Sequence, residues 1–193
     1  MGSKLQNLTW EEISKISLAG KAPEYFKVGD KKQILIEGKI GTDTFSNVLV
    51  DAFIVGFNHN KDLEGNNTIH FQIGKIDSIL VGIIDSKYGT TAAGSAYFAM
   101  KNANANSGGW KSSTMRTSIL NSDNATTDTT AGMLGRLPAE LKAVLRPVKK
   151  YTDNTGNSSL NSVVTTTDDF LWLPSEYEIF GTNTYGNAAE SNY

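Results

Sequence analysis

The segment Val48–Phe57 constrains this chain more than any other. Its ten residues are apolar apart from Asp51 and Gly56. The run is far too short to span a bilayer, which takes about 20 apolar residues. Apolar side chains at nearly every position predict a β-strand buried on both faces. Such a strand needs a partner, and one follows closely. Ile69, Phe71 and Ile73 alternate with His70 and Gln72, the period of a half-buried strand. Asn58–Asn67, which holds Asn-His-Asn and Gly-Asn-Asn, reads as the hairpin-like loop between them. Phe53 and Phe71 are therefore expected inside and His70 outside.

Shorter signals surround this hairpin. Thr9 and Glu12 have the spacing of a capping box, ahead of a helix with Ile13 and Ile16 on one face. Gln33–Ile36 and Ile79–Ile84 read as further strands. Thr90–Ala96 and Lys101–Gly109 are small and polar, and so loop. Ser112–Leu120 reads as helical. Pro138 marks a first helical position, followed by the stripe Leu141, Val144 and Leu145 up to Pro147. Val148–Thr152 reads as extended and Phe170–Leu173 as a short buried strand. Ser175 and Glu178 repeat the capping-box spacing before Gly181. Strands first and mixed helices later predict an α+β fold. The 193 residues divide into a capped helix and lead-in over 1–29 and one domain over 30–193.

The chemistry open to the chain is narrow. It has no cysteine, which excludes disulfides, thiolate metal sites and cysteine nucleophiles. Eighteen basic against twenty acidic side chains give no reason to expect a nucleic-acid partner. No signal peptide and no membrane insertion are expected. Gly89 and Gly94 have the spacing of a phosphate loop, but Ser95 stands where its lysine belongs. His59 and His70 are the only histidines, and a metal site would need them to converge with Asp62 or Glu64. They read instead as a loop residue and an outward strand residue. Asp153-Asn154-Thr155-Gly156-Asn157 resembles a calcium loop, with glycine at the fourth place instead of the sixth and Val164 where a bidentate Glu belongs. It reads as a turn. No metal and no cofactor are expected. Asp168 and Asp169 are adjacent, so on a strand they point to opposite faces and need not cooperate. Lys142, Arg146, Lys149 and Lys150 complement the end of a helix. Trp110 follows Gly108-Gly109, from where an indole could stack on a sugar or pack on Met115 as core.

Three blocks carry a resemblance. They are Gly108–Asn121, with Trp110, Ser113, Arg116, Leu120 and Asn121; Leu137–Leu141 with Arg146–Thr152; and Asp169–Gly181, with Phe170, Leu171, Ser175 and Glu178. In this order they resemble an uncharacterised domain family of phage and prophage structural proteins and Gram-positive surface proteins, domain of unknown function 6273. That family is distantly similar to C-type-lectin-like and sulfatase-modifying-factor folds. The resemblance covers roughly residues 30–193 and implies a C-type-lectin-like antiparallel sheet with two or three short helices and long polar loops. It also implies that the family's C-terminal segment, which follows the stretch matching Glu190–Tyr193, is lacking here. The sulfatase-modifying relatives need cysteines, so their activity is not implied.

Within these blocks the expected roles are structural. Arg116 should lock its helix to the sheet through a two-pronged contact, Asn121 should stop that helix and Ser175 should start the last one. The expected function is a non-catalytic phage virion or bacterial surface module for adhesion or receptor binding. It would work within a larger assembly, against a cell-surface glycan or other virion proteins. Two alternatives stand beside it. One is an enzyme acting on cell-wall glycans through Asp168, Asp169, Glu176 and Glu178; the other is a purely structural virion protein.

Overall fold

The computed structural model describes residues 4–40, 43–59, 61–76, 79–80, 100–101, 105–123, 126–155 and 160–191. In chain order the elements are α1 (Trp10–Leu18), α2 (Ala22–Tyr25), β1 (Lys31–Ile40), β2 (Asp43–Phe57), α3 (Lys61–Glu64), β3 (Ile69–Ile76) and β4 (Ile79–Leu80). A single π-helical turn follows at Met115–Ile119, then α4 (Gly132–Arg136), α5 (Ala139–Lys142), β5 (Val148–Asp153), β6 (Val164–Asp169) and α6 (Glu176–Phe180). The fold is mixed α+β, with two small antiparallel sheets and short helices. It forms two compact units. The first is Met1–Gly38, Thr44–Ile83 and Leu137–Leu145; the second is Lys39–Asp43, Ile84–Arg136 and Arg146–Tyr193. The expected lead-in over 1–29 thus belongs to the same unit as the larger sheet.

The first unit is built on a four-stranded sheet in the order β1-β2-β3-β4. β2 and β3 pair antiparallel, with Ile54 opposite Phe71 and Ala52 opposite Ile73. The register shifts between Asp51 and Ala52 and between Ile54 and Gly56, local irregularities that bend the strand. Ile34, Ile36, Val50, Ala52 and Ile54 form the buried face. The opposite face is not closed, for Leu49 and Val55 are about half exposed. β2 is therefore not buried on both sides, and its apolar run overstates its burial. Phe53 and Phe71 are half-buried, the latter edge-on to the buried Trp10 at 5.5 Å. Asn58 shapes the connection: at φ +51° it tolerates the left-handed turn, and its Oδ1 accepts from the backbone N–H groups of Asn67 and Thr68.

α1 starts where Thr9 and Glu12 cap one another reciprocally. It ends at Gly20, whose φ of +74° lets Lys21 N–H reach back to the Ile16 carbonyl. Its buried side carries Trp10, Ile13 and Ser17; Ser17 Oγ donates to the Asn67 carbonyl at 2.7 Å, tying helix to hairpin.

The second unit has a smaller sheet. β5 and β6 pair antiparallel in unbroken register, from Val148 opposite Asp169 to Asp153 opposite Val164. The sequence predicts a strand at Phe170–Leu173, but the strand is β6 and Phe170–Leu173 is irregular. β6 reads Val-Thr-Thr-Thr-Asp-Asp, and its β-branched threonines favour a strand without an apolar signal. Ser112–Leu120 is likewise shorter and wider than the expected helix, since Leu120 N–H bonds to the Met115 carbonyl five residues back. α4 was not expected from sequence. It packs Met133 and Leu134 into the core with Met115, Ile119 and Leu120. Gly132, at φ +59°, permits this approach, since a Cβ there would sit 2.5 Å from Asn121 Cβ. In the first unit, Pro138 stands at the N-cap position of α5, one residue before the first helical position where it was expected, and without a side-chain cap. α5 is a single turn, not the longer helix its stripe suggests. Thr90–Ala96, Gly89, Gly94 and Ser95 lie outside the described residues, as do residues 81–84 of the expected strand at Ile79–Ile84.

Candidate functional site

A buried polar constellation in the second unit converges on Asp169. Asp169 ends β6, and strand alternation turns its side chain inward while Asp168 points out. Its carboxylate is fully buried. Oδ1 accepts from Arg116 Nε at 2.7 Å; Oδ2 accepts from Trp110 Nε1 at 2.9 Å and from Thr167 Oγ1 at 2.7 Å. Arg116 Nη1 also donates to the Lys111 carbonyl at 3.1 Å, so the guanidinium bridges the end of β6 and the loop before its own turn. The contact with the carboxylate is made through Nε alone. Ser113 Oγ accepts from Arg116 N–H and fixes the entry of that turn. Gly109 is required next to it, because a Cβ there would lie 1.8 Å from the Asp153 carbonyl oxygen.

The indole of Trp110 is 9% exposed and its N–H is engaged by Asp169, a placement that suits core packing. Asn121 sits at φ +57° just past the π turn, and its Nδ2 donates to Thr129 Oγ1 and the Ala131 carbonyl. It ends the turn and holds the loop that follows. Ser175 caps α6, accepting from Glu178 N–H while Glu178 Oε2 accepts from Ser175 N–H.

A second buried pair adjoins this cap. Lys150 Nζ stands 2.6 Å from Glu178 Oε1, both side chains under 10% exposed, and 5.1 Å from the Trp172 ring centroid. Lys150 is thus an interior strand residue and not a cation at a helix end, because β5 turns it inward beside Val148. Lys149 faces out and pairs with the exposed Asp168.

The remaining acids hold backbone. Glu176 accepts from the N–H groups of Thr184, Tyr185 and Gly186. Those of Tyr185 and Gly186 hold its carboxyl below the usual carboxylate range; burial opposes them, and the Thr184 N–H adds a lesser lowering. Glu190 accepts from Asp153 N–H at 2.7 Å. Burial pushes its carboxyl up; the Asp153 and Asn187 N–H groups oppose this, and the charges of Asp153 and Glu176 add to it. Asp153 Oδ1 accepts from Thr155 N–H and Oγ1, and Oδ2 accepts from Asn187 Nδ2. The first residues of the calcium-like stretch therefore form an Asx-type turn, while Gly156 and Asn157 lie outside the described residues.

In the first unit the structure corrects the expectation for His70. It is buried, and its Nε2 lies 3.1 Å from Glu64 Oε2. α3, inside the expected loop, brings Glu64 there; the exposed His59 ring lies 5.5 Å from that of His70. Asp62 stays exposed. Nothing local in the sequence announces these pairings: Arg116 and Asp169 are 53 residues apart and Lys150 and Glu178 are 28.

No helix among the described residues is long and apolar enough to cross a membrane. The chain matches no family model, no curated protein and no solved structure.

Proposed function

We propose that this chain is a non-catalytic attachment module of C-type-lectin-like design, carried by a phage or prophage particle or by a bacterial surface protein. One observation carries the non-catalytic part. Of the four acids an enzyme would use, Asp169 is held by three donors and Glu178 by Lys150 and the α6 cap. Glu176 anchors a loop, and Asp168 lies on the opposite face of β6 from Asp169. A general acid and base must share one substrate and keep a proton to exchange; these carboxylates serve as fixed acceptors.

The three blocks that resemble the phage and surface family also supply this scaffold. Trp110 and Arg116 come from the first, Lys150 from the second, and Asp169, Trp172, Ser175 and Glu178 from the third. Blocks distant in sequence that meet pairwise, the first with the third at Asp169 and the second with the third at Glu178, behave as parts of one architecture. The partner on this reading is a cell-surface glycan or another particle protein.

The test is retention on purified Gram-positive cell walls, with soluble sugar assayed in the supernatant. Retention without sugar release is expected. Released sugar would establish the enzyme reading, and no retention on walls or on a glycan array would leave particle architecture alone.

A further inference from the structure

We propose that His59, Glu64 and His70 form a site for one borderline divalent cation, Zn2+, Ni2+ or Cu2+, closing the connection between β2 and β3. Two donors already adjoin: His70 Nε2 and Glu64 Oε2 are 3.1 Å apart, with both side chains under 10% exposed. A tetrahedral ion with bonds of about 2.0–2.2 Å to nitrogen and oxygen sets neighbouring ligand atoms roughly 3.3 Å apart. The ion can therefore replace the shared proton with little movement of either chain. The third donor is beside them. The rings of His59 and His70 are 5.5 Å apart at 71°, close to the roughly 5 Å between two imidazoles on one tetrahedral ion.

As the side chains stand, no three His, Cys, Asp or Glu donors among the described residues are grouped to hold an ion. One change completes the set, a rotation of the exposed His59 toward the Glu64–His70 pair. Two imidazoles and one carboxylate suit Zn2+, Ni2+ or Cu2+ and disfavour Ca2+ and Mg2+, which take oxygen ligands. The three donors lie within one connection, on the residue after Asn58, on α3 and at the start of β3. Binding would clip this connection shut, and the ligands must be unprotonated, so the affinity falls at low pH.

The chain has only two histidines, which makes the test direct. The 193-residue chain, without an affinity tag and stripped with chelator, is titrated calorimetrically with ZnCl2 and melted with and without the metal. One saturable equivalent and a raised melting temperature are expected, with Cu2+ showing two nitrogen ligands by electron paramagnetic resonance. His59→Ala should lower the affinity at least about tenfold. Because that side chain is exposed, the variant tests the site without emptying the core. No saturable binding by the parent, or equal binding by His59→Ala, overturns the proposal.

Discussion

The two units differ in how far they rely on buried charge. The first is chiefly an apolar sheet: Ile34, Ile36, Val50, Ala52 and Ile54 share one buried face set by strand alternation. Its buried ionisable groups, among the described residues, are Asp51, paired with a Lys31 that reaches solvent, and the His70–Glu64 pair. The second also has an apolar core, around Met115, Met133 and Leu134, but more charge is buried alongside it. Arg116, Lys150 and Asp169 are all buried, in pairs of 2.6–2.7 Å. An apolar contact is tolerant of its partner, since any side chain of suitable volume serves. A buried charge is not. It requires a particular partner at a particular place, and its loss leaves the other charge stranded in a medium of low dielectric. The second unit should therefore be more specific in its arrangement and more easily broken at single positions.

The largest expected effect lies at the common acceptor. Asp169→Ala leaves Arg116, Trp110 and Thr167 without their acceptor, and loss of one partner of a buried pair costs about 3–5 kcal/mol. Urea denaturation followed by tryptophan fluorescence measures it, since Trp110 reports from the network. In the first unit the matching probe is Ile54→Ala, which removes a fully buried side chain and should cost about 2–5 kcal/mol. The comparison sharpens with volume-conserving changes. Ile54→Leu should cost under about 1.5 kcal/mol, whereas Asp169→Asn keeps the shape but loses the charge and should remain strongly destabilising. If the two conservative changes cost the same, the distinction between the units fails.

A smaller effect tests Arg116 itself. Lysine keeps the charge but cannot reproduce the geometry that serves Asp169 and the Lys111 carbonyl together, so Arg116→Lys should cost roughly 1–2 kcal/mol. A variant that melts like the parent yet no longer binds cell walls would place Arg116 against a partner instead.

The smallest effect concerns pH. Burial raises the Glu190 carboxyl in the folded chain, so the folded state holds that proton more tightly than the unfolded one. Its contribution is present below the unfolded value, about 4.3, and is lost as pH rises through the folded value. Glu190→Gln, which can still accept from Asp153 N–H, should then gain on the parent as pH rises from 4 to 7. Glu190 is only partly buried, so screening keeps the gain under about 1 kcal/mol. A difference in melting temperature that is constant across this range would contradict the assignment.

The same contrast explains how much was legible in the sequence. The hairpin of β2 and β3, both capping boxes and β5 are written in local periodicity and spacing, and the structure has them. What local pattern could not show is which distant charges meet. Arg116 suggested a buried acceptor but not Asp169, and Lys150 read as a cation at a helix end because its partner Glu178 lies 28 residues on, past β6. His70 misled for the same reason, since its burial depends on α3 inside what reads as plain loop. β6 was missed because its strand propensity comes from threonine, which carries no apolar alternation. The candidate site was therefore legible as residues but not as a network.

The central claim is that the second unit depends on a specific buried pairing between Arg116 and Asp169. A double-mutant cycle of Arg116→Met and Asp169→Leu, read by urea denaturation, tests it most directly. Each single change should be severe, and the double change, which removes both charges, should be milder than the sum of the two. A coupling energy of about 2–3 kcal/mol is expected for contacting residues in one network. Single effects that simply add would contradict the claim.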